Sequence, residues 1–261
     1  MKDMILYDPP KKRRLGDGLW AGVKFAAAVL LLCGICALTF AVGRFMSGDR
    51  AVSATHKEER SLPIIVIDAG HGGIDGGAVA PDGTTEKDIN LDVAKRLEAL
   101  CRVSGIECVM TRTDDHMLTD ESLKSHRKMH DLKNRLGVVK QISESGSSAV
   151  LVSIHMNNFS SSEYSGLQVW YSPNNENSAQ LATYVQSYAR TYLDRDNTRE
   201  IKRATSAIYL LDRADVPAIL IECGFLSNSE ELARLKTDEY RTELAVSIFA
   251  SVCGWMGNGS V

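Results

Sequence analysis

The chain has 261 residues, of which 44% are hydrophobic, 24% charged and 7% aromatic. That composition excludes collagen-like, coiled-coil and disordered classes, and the length allows a well-buried core in one or two domains. Residues 1–50 hold eight Lys/Arg against four Asp/Glu, a net +4, while the other 211 hold 22 against 29, a net −7. An acidic main body excludes nucleic acid as its principal partner, because phosphate-backbone affinity needs clustered cations.

In chain order, residues 1–24 form a basic tail with Lys11, Lys12, Arg13, Arg14 and Lys24. Phe25–Gly43 follows, 19 residues without a charge. About 20 apolar residues cross the hydrocarbon layer as a helix, and a cleaved signal peptide usually has a shorter apolar stretch of about 7–15. The reading is therefore an uncleaved transmembrane anchor over 25–45. The positive-inside rule places the N-terminus in the cytoplasm and the rest outside the membrane. Cys33 and Cys36 lie within this apolar stretch and read as small hydrophobes. Residues 46–61 are polar, without apolar periodicity, and read as a linker. The block 62–256 is one domain.

Within it, Leu62–Asp68 (LPIIVID) and Ala149–His155 (AVLVSIH) read as strands covered on both faces, as does Pro217–Glu222 (PAILIE). Shorter strands are expected at Glu107–Thr111, Leu167–Tyr171 and Ile208–Leu211. Apolar residues at helical spacing predict a helix from Glu86, capped by Thr84 or Thr85 and ended at Gly105. Further helices are expected around Leu132–Ile142, Gln180–Tyr192, Ser229–Leu235 and Tyr240–Trp255. Strands alternating with helices define an α/β fold, a mostly parallel sheet flanked by helices on both faces. Binding sites in such sheets form at the C-terminal ends of strands.

Each of the three buried strands ends in a residue able to carry chemistry. His71 lies in AGHGGIDGGA, which lacks the G-K-[S/T] end of a phosphate loop. His155 ends the second strand. Either histidine alone reads as a hydrogen-bonded structural residue or as a metal ligand, and two at equivalent strand ends favour the ligand reading. Glu86, in the first turn of a helix, is either a favourable charge at the helix N-terminus or a third ligand. His, Glu and His with one open position is a catalytic zinc set. Glu222 ends the third strand, as a structural carboxylate or as a base whose pKa burial raises. His126 and His130 are spaced i, i+4 in a very polar stretch and read as a solvated helix face. Cys101, Cys108, Cys223 and Cys253 match no zinc spacing and read as buried thiols, although Cys101 and Cys108 are near enough in sequence to pair.

Four blocks, IVIDAGHGGIDGGA, TTEKDINLDVAKRL, LVSIHMNNF and PAILIECGFLSNSEE, together with DLKNR at Asp131–Arg135, resemble the zinc-dependent N-acetylmuramoyl-L-alanine amidases of the amidase-3 family over roughly Leu62–Trp255. The resemblance implies a single Zn2+ held by His71, Glu86 and His155, with Glu222 as the catalytic carboxylate. The substrate it implies is peptidoglycan, cut at the amide between N-acetylmuramic acid and the L-alanine of the stem peptide. The compact domain and N-terminal anchor are most similar to the CwlD-like sporulation and germination members, which act on spore cortex before muramic δ-lactam formation. The alternatives are a vegetative wall amidase or an anchored wall-binding module without activity, and a need for an activating protein partner is left open. The short Asn157–Gly166 region leaves no room for the blocking helix of the family's regulated members. Arg127, Asn134, Arg135 and Asn157 are candidate contacts to substrate glycan or carboxylates, since guanidinium matches carboxylate geometry. Cys223, next to Glu222 on a strand, is expected to point away from it.

Overall fold

The computed structural model describes residues 62–119, 122–123 and 125–258. The expected tail, anchor and linker of residues 1–61 lie outside the described residues, among which no helix is long and apolar enough to cross a membrane.

The first apolar run forms β1 (Ile64–Ala69) and feeds, through a long loop, into α1 (Glu86–Val103). Then come β2 (Cys108–Met110), α2 (Arg127–Glu144), β3 (Ala149–Asn157), β4 (Gln168–Tyr171), α3 (Asn177–Tyr192), β5 (Lys202–Arg203), α4 (Tyr209–Arg213), β6 (Ala218–Phe225), α5 (Ser229–Leu235) and α6 (Asp238–Gly257). The strands form one sheet in the order β2-β1-β3-β6-β4-β5. The first four are mutually parallel, β4 runs antiparallel to β6, and β5 follows β4. The sheet is thus mixed, with its reversed strands confined to one edge. Thr85 occupies the N-cap of α1, but its hydroxyl bonds Asp88 rather than a backbone N–H.

Side-chain alternation sends the two halves of each strand to different cores. Ile65, Ile67, Val150, Val152, Ile154, Ile219, Ile221 and Cys223 pack beneath α1, α3 and α6. Val66, Leu151, Ala218 and Leu220 face the thinner layer of α2 and α4, with Leu136, Val139, Leu210 and Leu211. One sequence expectation is corrected here. Ile208–Leu211 is not a strand, because Tyr209–Arg213 is the short helix α4. A four-residue apolar run fits either state, and burying Leu210 and Leu211 against the sheet decides for the helix.

From β1 the chain moves to one neighbour, β2, and then returns to the other side as β3. Such a reversal of strand order opens a crevice at the strand C-termini. The thin layer of α2 and α4 leaves that crevice accessible. A cavity of about 240 Å³ occupies it, lined by His71, Asp75, Lys128, His155, Tyr209 and Glu222 among others.

Candidate active site

His71 follows β1 by two residues, His155 lies near the end of β3 and Glu222 lies on β6, opposite His155 in the β3/β6 register. Glu86 opens α1. The sheet therefore gathers four residues separated by up to 151 positions. One ligand atom from each of His71, Glu86 and His155 falls in a group within 4.8 Å of one another.

Glu86 is 4% exposed and joins the two histidines. Its Oε1 lies 2.9 Å from His155 Nδ1 and accepts from Met156 N at 3.1 Å and Asn90 Nδ2 at 3.3 Å. Its Oε2 lies 3.3 Å from His71 Nε2 and accepts from Ala78 N at 2.9 Å. Burial alone would raise this carboxyl's pKa, but the two imidazoles more than offset it and hold the pKa well below the usual range. His71 Nδ1 lies 2.9 Å from Asp75 Oδ2, which also takes Lys128 Nζ at 3.3 Å. Burial would lower the His71 pKa, but hydrogen bonds to Asp75 and Glu86 outweigh it and raise the pKa to about 9. The site therefore attracts positive charge.

Two glycines give the imidazoles their room. A Cβ on Gly70 would stand 2.2 Å from His155 Cε1. A Cβ on Gly77, at φ +69°, would stand 2.5 Å from Glu86 Oε2 and 2.7 Å from His71 Cδ2. His71 itself has φ 62°, a left-handed conformation that costs a non-glycine residue about 1–3 kcal/mol.

These residues fit a zinc ion. Two imidazoles and a carboxylate with an open position form a catalytic zinc set. Tetrahedral bonds of about 2.05 Å separate ligand atoms by about 3.4 Å, close to the 3.3 Å between His71 Nε2 and Glu86 Oε2. Asp75 orients His71 from behind, as carboxylates commonly do for zinc-bound histidines.

Glu222 Oε2 is buried and, among the described residues, has no hydrogen-bond partner. Burial raises its pKa, and the nearby Glu86 adds to the rise against the opposing pull of the histidines. Cys223 points to the opposite core, as expected from alternation. Cys101, Cys108, Cys223 and Cys253 are all free thiols, with Cys108 and Cys253 only partly buried.

Arg135 borders the cavity, is 2% exposed and directs its donors to partners within the protein. Nε bonds Asp131 Oδ2 at 2.6 Å, Nη1 bonds Asp68 Oδ1 at 2.8 Å and Ala69 O at 2.7 Å, and Nη2 bonds His71 O at 2.6 Å. Arg127 donates to Leu123 O and borders a separate pocket beside Gly73 and Ile74. Asn157 accepts from Leu226 N at the end of β3 and does not line the cavity. Asn134 donates to Leu118 O. His126 and His130 are exposed, as read. Asp75 and Arg112 were not singled out from the sequence, although Asp75 stands four residues after His71 in a glycine-rich loop and Arg112 directly follows a strand.

The chain belongs to the amidase-3 family of N-acetylmuramoyl-L-alanine amidases, whose pattern matches residues 65–253. It is 38% identical over 198 residues to the germination-specific N-acetylmuramoyl-L-alanine amidase of Bacillus subtilis, covering 74% of this chain and 81% of that protein. The CwlD amidase of Clostridioides difficile, solved in complex with the GerS lipoprotein, is 37% identical. That match covers 75% of this chain and 99% of that one, with a TM-score of 0.70. A second solved N-acetylmuramoyl-L-alanine amidase, from Clostridium difficile, is 31% identical with a TM-score of 0.63 and covers 76% and 98%.

Proposed function

We propose that this N-acetylmuramoyl-L-alanine amidase is a zinc hydrolase of spore-cortex peptidoglycan, held at the outer face of the cell membrane by residues 25–45. The grouping of His71, Glu86 and His155 within 4.8 Å of one another, with His71, His155 and Glu222 lining one cavity, carries the chemical reading. The identity to a germination-specific amidase supports the cortex substrate. The uncharged 19-residue stretch behind a basic tail supports the anchor.

His71, Glu86 and His155 would hold the zinc. Bound there, zinc supplies Lewis acidity, which polarises the scissile carbonyl and makes water a better nucleophile near neutral pH. Glu222, unpartnered and with a raised pKa, takes a proton from the attacking water. It returns that proton to the amine of the departing L-alanine. Leu132, Ile208, Tyr209 and Leu220 also line the cavity and make part of its wall apolar.

The test is mass analysis of products from peptidoglycan sacculi treated with the purified full-length chain. Free stem peptides beginning with L-alanine, and glycan strands with intact lactyl groups, are expected. Cleavage inside the stem peptide would overturn the reading. A second reading, dependence on a lipoprotein partner, is favoured by the likeness to the CwlD amidase solved with GerS. Hydrolysis by the purified chain alone, at the rate seen after adding membrane extract of sporulating cells, would exclude it.

A further inference from the structure

Three successive carbonyls, at the end of β1 and the start of the loop after it, receive five side-chain hydrogen bonds. Ala69 O accepts from Arg112 Nε at 2.9 Å and Arg135 Nη1 at 2.7 Å. Gly70 O accepts from Arg112 Nη2 at 3.0 Å and Asn90 Nδ2 at 3.1 Å. His71 O accepts from Arg135 Nη2 at 2.6 Å. Both guanidiniums are buried at 2% exposure.

We infer that Arg112 and Arg135 are positioning residues that set the affinity of the His71–Glu86–His155 site for its metal by clamping residues 69–71. The inference rests on the zinc reading above. Each arginine links the loop to a different element. Arg112 Nη2 also donates to Lys87 O at 2.8 Å, so one nitrogen bridges the His71 loop and the first turn of α1, where Glu86 sits. Arg135 holds the same loop to α2, and its charge is balanced by Asp68 and Asp131. Asp68 in turn accepts from Ser153 Oγ at 2.6 Å and Thr111 Oγ1 at 2.8 Å, which ties the clamp to β3 two residues before His155. The three ligands are thus referred to one buried polar frame.

The loop has a reason to need holding. His71 adopts the left-handed conformation between Gly70 and Gly72, where backbone preference alone does not fix the imidazole. A planar guanidinium meets several acceptors at once, whereas a lysine ammonium is a point charge on a flexible stem. Lysine at either position keeps the charge and loses the fork.

The metal-free full-length chain is titrated with Zn2+ in competition with a chromophoric chelator, and circular dichroism reports folding. Arg135→Lys and Arg112→Lys are each expected to weaken Zn2+ binding roughly ten- to hundredfold. Val139→Ala, a cavity one turn further along the same buried face of α2, is expected to leave it unchanged. A folded lysine variant with wild-type Zn2+ affinity overturns the proposal, and so does an equal loss in Val139→Ala. If one lysine variant fails to fold, the other carries the test. If both unfold, the guanidiniums serve stability and the proposal falls. A wild-type chain that does not bind Zn2+ refutes instead the zinc reading beneath it.

Discussion

Gly70→Ala adds a single carbon and is expected to abolish metal binding. The new Cβ would stand 2.2 Å from His155 Cε1, 2.3 Å from Nε2 and 2.7 Å from Nδ1. Non-bonded carbons settle at about 3.5–4.0 Å, so the ring must retreat by roughly 1.3 Å or more. A zinc–nitrogen bond of about 2.0–2.1 Å tolerates about 0.2 Å of error. The retreat exceeds that margin several-fold, and Glu86, bonded to the same ring, is pulled with it. The Gly70 backbone is not in the left-handed region, so the collision and not a backbone preference decides the outcome. A displacement of about 1 Å in a catalytic group costs on the order of 100-fold in rate. The assay is zinc content by atomic emission together with release of stem peptide from sacculi. A folded Gly70→Ala chain with full zinc and the wild-type rate would refute the packing argument.

Other consequences follow from the same geometry. Glu222→Gln keeps the shape and removes the proton acceptor; its kcat is expected to fall by roughly 10² to 10⁴ with zinc content unchanged, by single-turnover and metal analysis. Asp75→Ala removes the carboxylate behind His71 Nδ1 and is expected to weaken Zn2+ affinity roughly ten- to hundredfold in chelator competition. Asp68 links stability to pH. Burial would raise its pKa, but Arg135, with hydrogen bonds from Ser153 and Thr111, lowers it from 3.8 to about 2. A carboxyl with a depressed folded pKa contributes stability that is full above the unfolded pKa and is lost as pH falls through the folded one. Urea unfolding is therefore expected to lose about 2 kcal/mol from this group between about pH 4 and pH 2. An Asp68→Asn chain that keeps the same slope in that window would contradict the assignment.

Much of the site was legible because its residues end apolar runs. LPIIVID, AVLVSIH and PAILIE are unambiguous as buried strands, and a titratable residue following such a run stands out. The reversed direction of β4 was not legible, since Leu167–Tyr171 has no feature that separates a parallel strand from an antiparallel one. Ile208–Leu211 was too short to distinguish strand from helix. β5 was missed because Lys202–Arg203 is a two-residue exposed edge without an apolar pattern. The partners of Arg135 were not legible for another reason. Its spacing on α2 after Asp131 is visible in the sequence, but the carbonyls and Asp68 that enclose it come from residues more than 60 positions away. Asp75 and Arg112 likewise gain their roles only when β1, its loop and α1 are folded against each other.

The central claim is that three residues hold one zinc ion and a fourth acts beside it without holding it. Zinc per chain, measured by atomic emission after dialysis, tests this most directly across the wild type, His71→Ala, Glu86→Ala, His155→Ala and Glu222→Gln. One zinc in the wild type and in Glu222→Gln, and none in the three alanine variants, is the expected pattern. Zinc retained at full occupancy in folded His155→Ala or Glu86→Ala, or lost from Glu222→Gln, would contradict it.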